Sequence, residues 1–403
     1  MIPRHRPPFG LTSLLKQKLL SPLSGSLTQL EQLCADSLAI RNAVWLPSAR
    51  YGICRTIEHV LNDSADVYCP AFTCQVVHEA IRRSGRSLQL LDCRPDGFLM
   101  NVNSAPVDSA DYGVVLSEVF GHRFQRELDS ALIQNARLRI IDMAMAIPDR
   151  RDLRRLRDQD VAVISFGLGK SLYSGWGGMA FTHDDIVAGY LRRSRDRSMT
   201  RQQFARSFLQ ETALGIRTAA HQSAVYGMLR TLSQRRQASA ARAGHQPATS
   251  RAPLTDDLSP EWWHRPTKLS LRLTAANIRR AAEFERRRCE LAGIYSRELS
   301  RLDGSVLRLP ATESHGLSHY SIRTSSLNRD SLRQHLWSAG IDTATLFPFP
   351  ADCHPAWFPH TSRLCSEIIN LPLSHQLTTS QVGQICEQIR AFPFATSVCK
   401  VAA

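Results

Sequence analysis

Lysine is almost missing from this chain. Lys and Arg together number 50 in 403 residues, and only Lys16, Lys18, Lys170, Lys268 and Lys400 are lysines. Long apolar runs are missing as well: no stretch approaches the ~18 residues that mark a membrane-spanning helix, which argues against an integral helical membrane protein. The ten cysteines form no Cys-x-x-Cys pair and have no histidines at zinc-ligand spacing. Neither a zinc module nor a disulfide-stapled scaffold is therefore expected, and free thiols in a cytoplasmic protein are. The basic start, Met1 to Gly10, lacks the apolar core and small-residue cleavage site of a secretory signal. No internal repeat is apparent.

Against this background Lys170 stands alone between Lys18 and Lys268. A composition that has drifted so far to arginine retains lysine where an amine is needed. An amine can lose its proton and attack a carbonyl, whereas a guanidinium stays protonated to roughly pH 12 and forms no imine. A surface lysine spared by drift is the plain alternative, so the surrounding residues carry the decision. Val161 to Thr182 reads as an apolar β-type run, a polar loop carrying Lys170, and a second β-type run after Gly177 and Gly178. Gly175, Gly177 and Gly178 allow backbone to approach a ligand closely.

Upstream, Arg139 to Ala146 reads as a buried strand ending in Asp142. A carboxylate at the end of an apolar strand needs a partner; a cap or a strand-end turn is the structural option. Paired with a reactive lysine, the acid suits a pyridoxal phosphate site, where it keeps the pyridine nitrogen protonated so that the ring can withdraw electrons. Earlier still, Ile53, Ile57, Val60 and Leu61 recur at helical spacing, which places Ser48 at an N-cap with Ala49 and Arg50 opening the helix. Free amides, a hydroxyl and a positive dipole end form an anion site there, although ordinary capping gives the same pattern.

Taken together, these segments resemble the DegT/DnrJ/StrS family of pyridoxal phosphate-dependent sugar aminotransferases. The similarity is to members whose cofactor loop reads Pro-Ala-aromatic-Thr-Cys, here Pro70 to Cys74, and it runs in order from about Val44 to Phe392. The 28-residue step from Asp142 to Lys170 and the five-residue step from Ser165 to Lys170 carry it. The resemblance implies that Lys170 holds the cofactor aldehyde, Asp142 bonds the pyridine nitrogen, and Ser165, Ser48, Ala49 and Arg50 surround the phosphate. Four residues depart from the family pattern: Cys74 where a stacking aromatic is common, Met145 where Gln or His bonds the cofactor hydroxyl, Ser171 for a frequent Asn, and Trp176 at a small or acidic position. Met145 and Trp176 bear on the substrate more than on the cofactor. The resemblance also implies a homodimer with a shared active site, in which Lys268 or Arg265 of the partner reaches the phosphate.

Alternating β-type and amphipathic segments over residues 40–190 predict an α/β fold of the fold type I aminotransferase kind. A large domain with a mostly parallel sheet between helices precedes a small C-terminal α/β domain. The expected division is an N-terminal segment over 1–40, a cofactor-binding domain over 41–260 with a mobile loop near 233–259, and a long helix over about 271–303 leading the small domain within 261–403. Of the net charge of +14, much lies between Arg192 and Arg251, where twelve arginines face Asp196 and Glu211. No nucleic-acid module accompanies them. A solvated helical face is expected, or a basic rim that attracts a phosphorylated substrate or the surface of an anionic membrane. The expected activity is transfer of an amino group from an amino acid donor to a keto group on a nucleotide-linked or activated sugar. The alternatives are a non-sugar ketone, or a binding or regulatory protein that has lost transamination.

Overall fold

The computed structural model describes residues 1–20, 26–104, 111–199, 204–222, 225–233, 265–311 and 316–395. Seven strands build the main sheet: β1 (Asn42–Leu46), β2 (Asp66–Pro70), β3 (Ser87–Leu91), β4 (Tyr112–Ser117), β5 (Leu138–Asp142), β6 (Val161–Ser165) and β7 (Gly178–Thr182). Their order is β1-β7-β6-β5-β4-β2-β3. β3, β2, β4, β5 and β6 run parallel, and only β7 runs against its neighbours.

The central strands are mostly apolar because both faces are covered, with polar residues gathered at their C-terminal ends and Arg139 within β5. Along β6, Val161 and Val163 pack with Ile53, Ile57, Val77 and Leu191 from the helices Ala49–Val60, Gln75–Arg83 and Asp185–Ser198. Ala162 and Ile164 point the other way, into a core shared with Leu30, Cys34 and Leu38 of Leu27–Leu38 and with Ala275 and Ile278 of Lys268–Arg279. The expected mostly parallel sheet between helices is what the chain forms.

A second, antiparallel sheet of β8 (Leu307–Arg308), β9 (Tyr320–Thr324) and β10 (Ile368–Leu371) has the order β10-β9-β8. Helices Ser326–Ser338 and Thr379–Ala391 share its core through Leu332, Leu336, Val382 and Ile385. The single long helix expected over 271–303 is instead two, Lys268–Arg279 and Ala281–Leu299, broken at Arg280 (φ −101°, ψ 2°) and followed by a 3-10 turn, Ser300–Leu302. The apolar period continues through the break, so the sequence pattern hides it. Ala281 and Phe284 still pack in the core of the large sheet, while Leu291, Tyr295 and Leu299 pack in that of the small one.

The expected solvated basic face is only partly that. Arg195 is buried against Glu31, Arg192 also reaches Glu31, and Arg230 pairs with the buried Asp342. These arginines tie helices to the body of the fold. The loop expected near 233–259 lies outside the described residues apart from Ser233, which is helical.

Candidate active site

The ends of parallel strands are where α/β sheets bind ligands, because the loops leaving them diverge. Here the C-terminal ends of β1, β4, β5 and β6 open onto one pocket of about 240 Å³. Ser48, Ala49, Arg50, Cys74, Asp142, Met145, Ser165 and Lys170, which the sequence nominates from four separate segments, all line it. Arg265 and Lys268 do not; both are exposed at the start of the helix Lys268–Arg279, whose N-cap is Thr267.

Asp142 ends β5 with its carboxylate buried. The Ala144 amide donates to Oδ1 at 3.0 Å and the Ser117 hydroxyl to Oδ2 at 3.4 Å. Burial raises its pKa, and the Lys170 ammonium, the Ala144 amide and the Ser117 hydroxyl pull it back. Ser117 sits opposite Asp142 in the register of β4 and β5. Beside it, the Glu118 amide donates to the Asp142 carbonyl at 2.9 Å. Burial pushes the Glu118 carboxyl up to about 7 against the pull of Arg123, which is ion-paired to Glu118 and, at 3.0 Å, to Asp152.

The Lys170 loop is closed on itself. Ser165 Oγ accepts from the Gly167 amide at 3.3 Å, the Lys170 amide donates to the Gly167 carbonyl at 3.2 Å, and the Ser174 amide donates to the Phe166 carbonyl at 3.1 Å. Gly169, at φ 81°, takes the left-handed conformation that this tight turn requires. At the far end of the loop, a Cβ on Gly177 would lie 2.5 Å from the Trp45 ring. One on Gly178 would lie 2.6 Å from the Ile164 carbonyl oxygen and 2.8 Å from the Ala49 nitrogen. Paired glycines thus let β7 pass against the start of the helix Ala49–Val60. Ser48 caps that helix by accepting from the Tyr51 amide at 3.1 Å. Ala49 and Arg50, in the first turn of that helix, where no helical carbonyl can reach the amides, line the pocket together with Ser165.

Apolar side chains make the remaining wall: Val76, Val77, Met145, Trp176 and Phe347. The Trp176 indole N–H is buried and meets no acceptor among the described residues. Phe347 (φ 63°) and Phe120 (φ 56°) are both left-handed and stack with centroids 5.4 Å apart. Such conformations cost about 1–3 kcal/mol each and persist where packing imposes them. The pocket also takes in Thr73 of the Pro70 to Cys74 loop, and Ser117 and Phe347, which the sequence does not nominate. Ser117 had a signal, since β4 switches from apolar to polar at Ser117-Glu118; Phe347 had none.

Fold and pocket together define an α/β protein of the fold type I aminotransferase architecture. A model of the DegT/DnrJ/EryC1/StrS aminotransferase family matches residues 12–245 and 265–390, and the chain belongs to that family. Among curated relatives, dTDP-3-amino-3,4,6-trideoxy-alpha-D-glucose transaminase of Streptomyces venezuelae is 30% identical over 114 residues, 26% of this chain and 30% of that protein. The dTDP-4-dehydro-2,3,6-trideoxy-D-glucose 4-aminotransferase of Saccharopolyspora spinosa is 28% identical over 127 residues, 29% of this chain and 32% of that protein. The chain thus matches about a third of the length of these relatives. Among solved structures, the sugar aminotransferase CalS13 of Micromonospora echinospora superposes with a TM-score of 0.67 at 17% identity, covering 97% of this chain and 99% of that one. The PMP-form of the Streptococcus pneumoniae protein Spr1654 gives 0.67 at 15% identity, covering 95% and 96%. At these identities the likeness is one of fold.

Proposed function

We propose that the chain is a pyridoxal phosphate-dependent aminotransferase that moves an amino group from an amino acid donor to a keto group on a nucleotide-linked or otherwise activated sugar. The observation that carries this is Lys170 and the buried Asp142 lining the same small pocket, with the N-terminus of the helix Ala49–Val60 beside them. The names of two relatives, both acting on dTDP-sugars, support the acceptor class, and the PMP-form of Spr1654 supports the cofactor.

The residues fit that group. The buried Asp142 carboxylate is held by one amide and one hydroxyl and has no cation at ion-pair distance among the described residues, Lys170 acting on it only through space; a protonated ring nitrogen would fill that place. The helix start and Ser165, which lie together in the pocket lining and are drawn close by the tight passage at Gly178 behind them, would suit a phosphate. Bound pyridoxal phosphate supplies an electron sink. Lys170 Nζ would hold the cofactor aldehyde and, when released, carry a proton between the donor carbon and the cofactor. Asp142 would keep the ring nitrogen protonated, and Ser48, Ala49, Arg50 and Ser165 would bind the phosphate. Cys74 and Met145 would border the ring, with Met145 offering no hydrogen bond to the cofactor hydroxyl. We also infer a homodimer with the site at the subunit boundary.

Purified protein incubated with pyridoxal phosphate and then reduced with borohydride should carry a pyridoxyl group on Lys170, located by peptide mass spectrometry. Lys170→Ala and Lys170→Arg should both abolish the label and all turnover, the arginine variant despite its charge. Asp142→Asn should keep the label but slow bleaching of the cofactor by an amino donor by orders of magnitude, roughly a hundredfold or more. Labelling elsewhere, or turnover in the arginine variant, would refute the assignment of Lys170.

A further inference from the structure

Five arginines are buried among the described residues: Arg123, Arg139, Arg195, Arg288 and Arg323. Four have a carboxylate within ion-pair distance, supplied by Glu118 and Asp152, by Asp160, by Glu31, and by Glu367. Arg288 has none. Its guanidinium donates to the Ser171 hydroxyl, and its Nε has no partner among the described residues. Glu285, one turn earlier on the same helix, acts on it through space while accepting from the Gly316 amide. Burial lowers the pKa of the guanidinium to about 10 against the pull of Glu285. A buried cation without an ion-pair partner is expensive, so the use of this one is to be sought in what it touches.

Its place suggests the use. Ser171 follows Lys170 and is buried, and Phe166 and Leu172 on either side of the lysine pack with Ala281 and Phe284, the first turn of the helix that carries Arg288. The far end of that helix, Leu291, Tyr295 and Leu299, belongs to the core of the small sheet. Arg288 sits between the two cores. Its contact spans 117 residues of sequence and is the only side-chain hydrogen bond to the Ser171 hydroxyl among the described residues.

We propose that Arg288 is a positioning residue, which through the Ser171 hydroxyl fixes the backbone that presents the Lys170 amine and couples the small sheet to the reactive loop. This rests on the reading of Lys170 given above. The residue touches neither the pocket nor the reacting atoms; it acts through Ser171.

The test uses the full chain with Ser171→Ala, Ser171→Asn, Arg288→Met and the Ser171→Ala/Arg288→Met pair. Without cofactor, amide hydrogen exchange in the peptide spanning 166–174 should rise at least about tenfold in Ser171→Ala and in Arg288→Met. It should stay near wild type in Ser171→Asn, which keeps an acceptor for the guanidinium. With pyridoxal phosphate, borohydride labelling of Lys170 should slow by roughly ten- to a hundredfold in the same two variants, the scale of a misplaced reacting group. The double variant should be no slower than the worse single one, because both changes remove one contact. Wild-type exchange and labelling in Ser171→Ala would overturn the proposal, as would multiplicative effects in the pair or failure of Ser171→Asn to restore either readout. If Arg288→Met fails to fold, the two Ser171 variants still decide. Absence of label on wild-type Lys170 would count against the cofactor reading, while the exchange data would still judge the Arg288 contact.

Discussion

The chemistry proposed here depends on how single side chains are held, and His122 shows what burial alone does to one of them. It lies beyond the end of β4, stacks on Phe98 with centroids 4.9 Å apart, and its Nε2 has no partner among the described residues. Burial lowers its pKa from 6.5 to about 4. Folded His122 is thus neutral where the unfolded chain binds a proton, so its contribution to stability is full above pH 6.5 and is lost as pH falls towards 4. Between pH 7 and 5 that loss amounts to about 2 kcal/mol. Glu118, raised to about 7 by burial, titrates in the opposite sense, so the bare pH profile mixes the two. Comparison with His122→Phe separates them. The variant keeps the aromatic stack and should lose about 2 kcal/mol less on going from pH 7 to 5, measured by urea denaturation. An unchanged pH slope would mean that the imidazole is not held neutral.

At the scale of elements, the residues that share the candidate pocket are legible in the sequence wherever a strand end and its loop are contiguous. Asp142 closing β5, Lys170 following β6, and Ser48 before the helix Ala49–Val60 could be read because an apolar run stops at a chemically distinctive residue within a few positions. What could not be read depends on packing between distant segments: the break at Arg280, where the apolar period runs on, the left-handed Phe347, and the contact of Arg288 with Ser171. Paired glycines were read as permission for close approach, and the structure adds what approaches. Gly178 stands in register with Ser165 on one side and Leu46 on the other, so the first residue of β7 draws the β6 end and the start of the helix Ala49–Val60 together. Backbone atoms surround its missing Cβ at 2.6 and 2.8 Å. Gly178→Ala must therefore part β7 from β6 or from that helix. Affinity for pyridoxal phosphate should weaken by about tenfold or more, with a melting temperature several degrees lower. Gly215→Ala, on the helix Phe204–Ala220 with nothing near its missing Cβ, should change neither. Unaltered cofactor affinity in Gly178→Ala would mean that this junction does not shape the phosphate site.

For the whole molecule, the outstanding question is whether one chain holds a complete site. Among the described residues lining the pocket the cations are Arg50 and Lys170, and Lys170 is assigned to the aldehyde. On the proposed reading a doubly charged phosphate would be met by one helix start, two serines and at most one arginine, which leaves room for a cation from elsewhere. Lys268 is exposed at the start of its own helix, outside the pocket of its own chain. It is one of five lysines in a chain that otherwise uses arginine. A second copy related by a two-fold axis would offer the same lysine to this pocket and receive one in return, since such an interface repeats every contact twice. Mixing Lys170→Ala and Lys268→Ala chains in equal amounts and letting them re-associate tests this. Random pairing makes half the dimers mixed, and each mixed dimer holds one site with both lysines and one with neither, so turnover should recover to about a quarter of wild type. The same mixture with Arg265→Ala in place of Lys268→Ala asks whether the neighbouring arginine shares the task. If mixed dimers form, as judged by a mass tag on one chain, and turnover does not exceed the sum of the two mutants alone, Lys268 does not complete its partner's site.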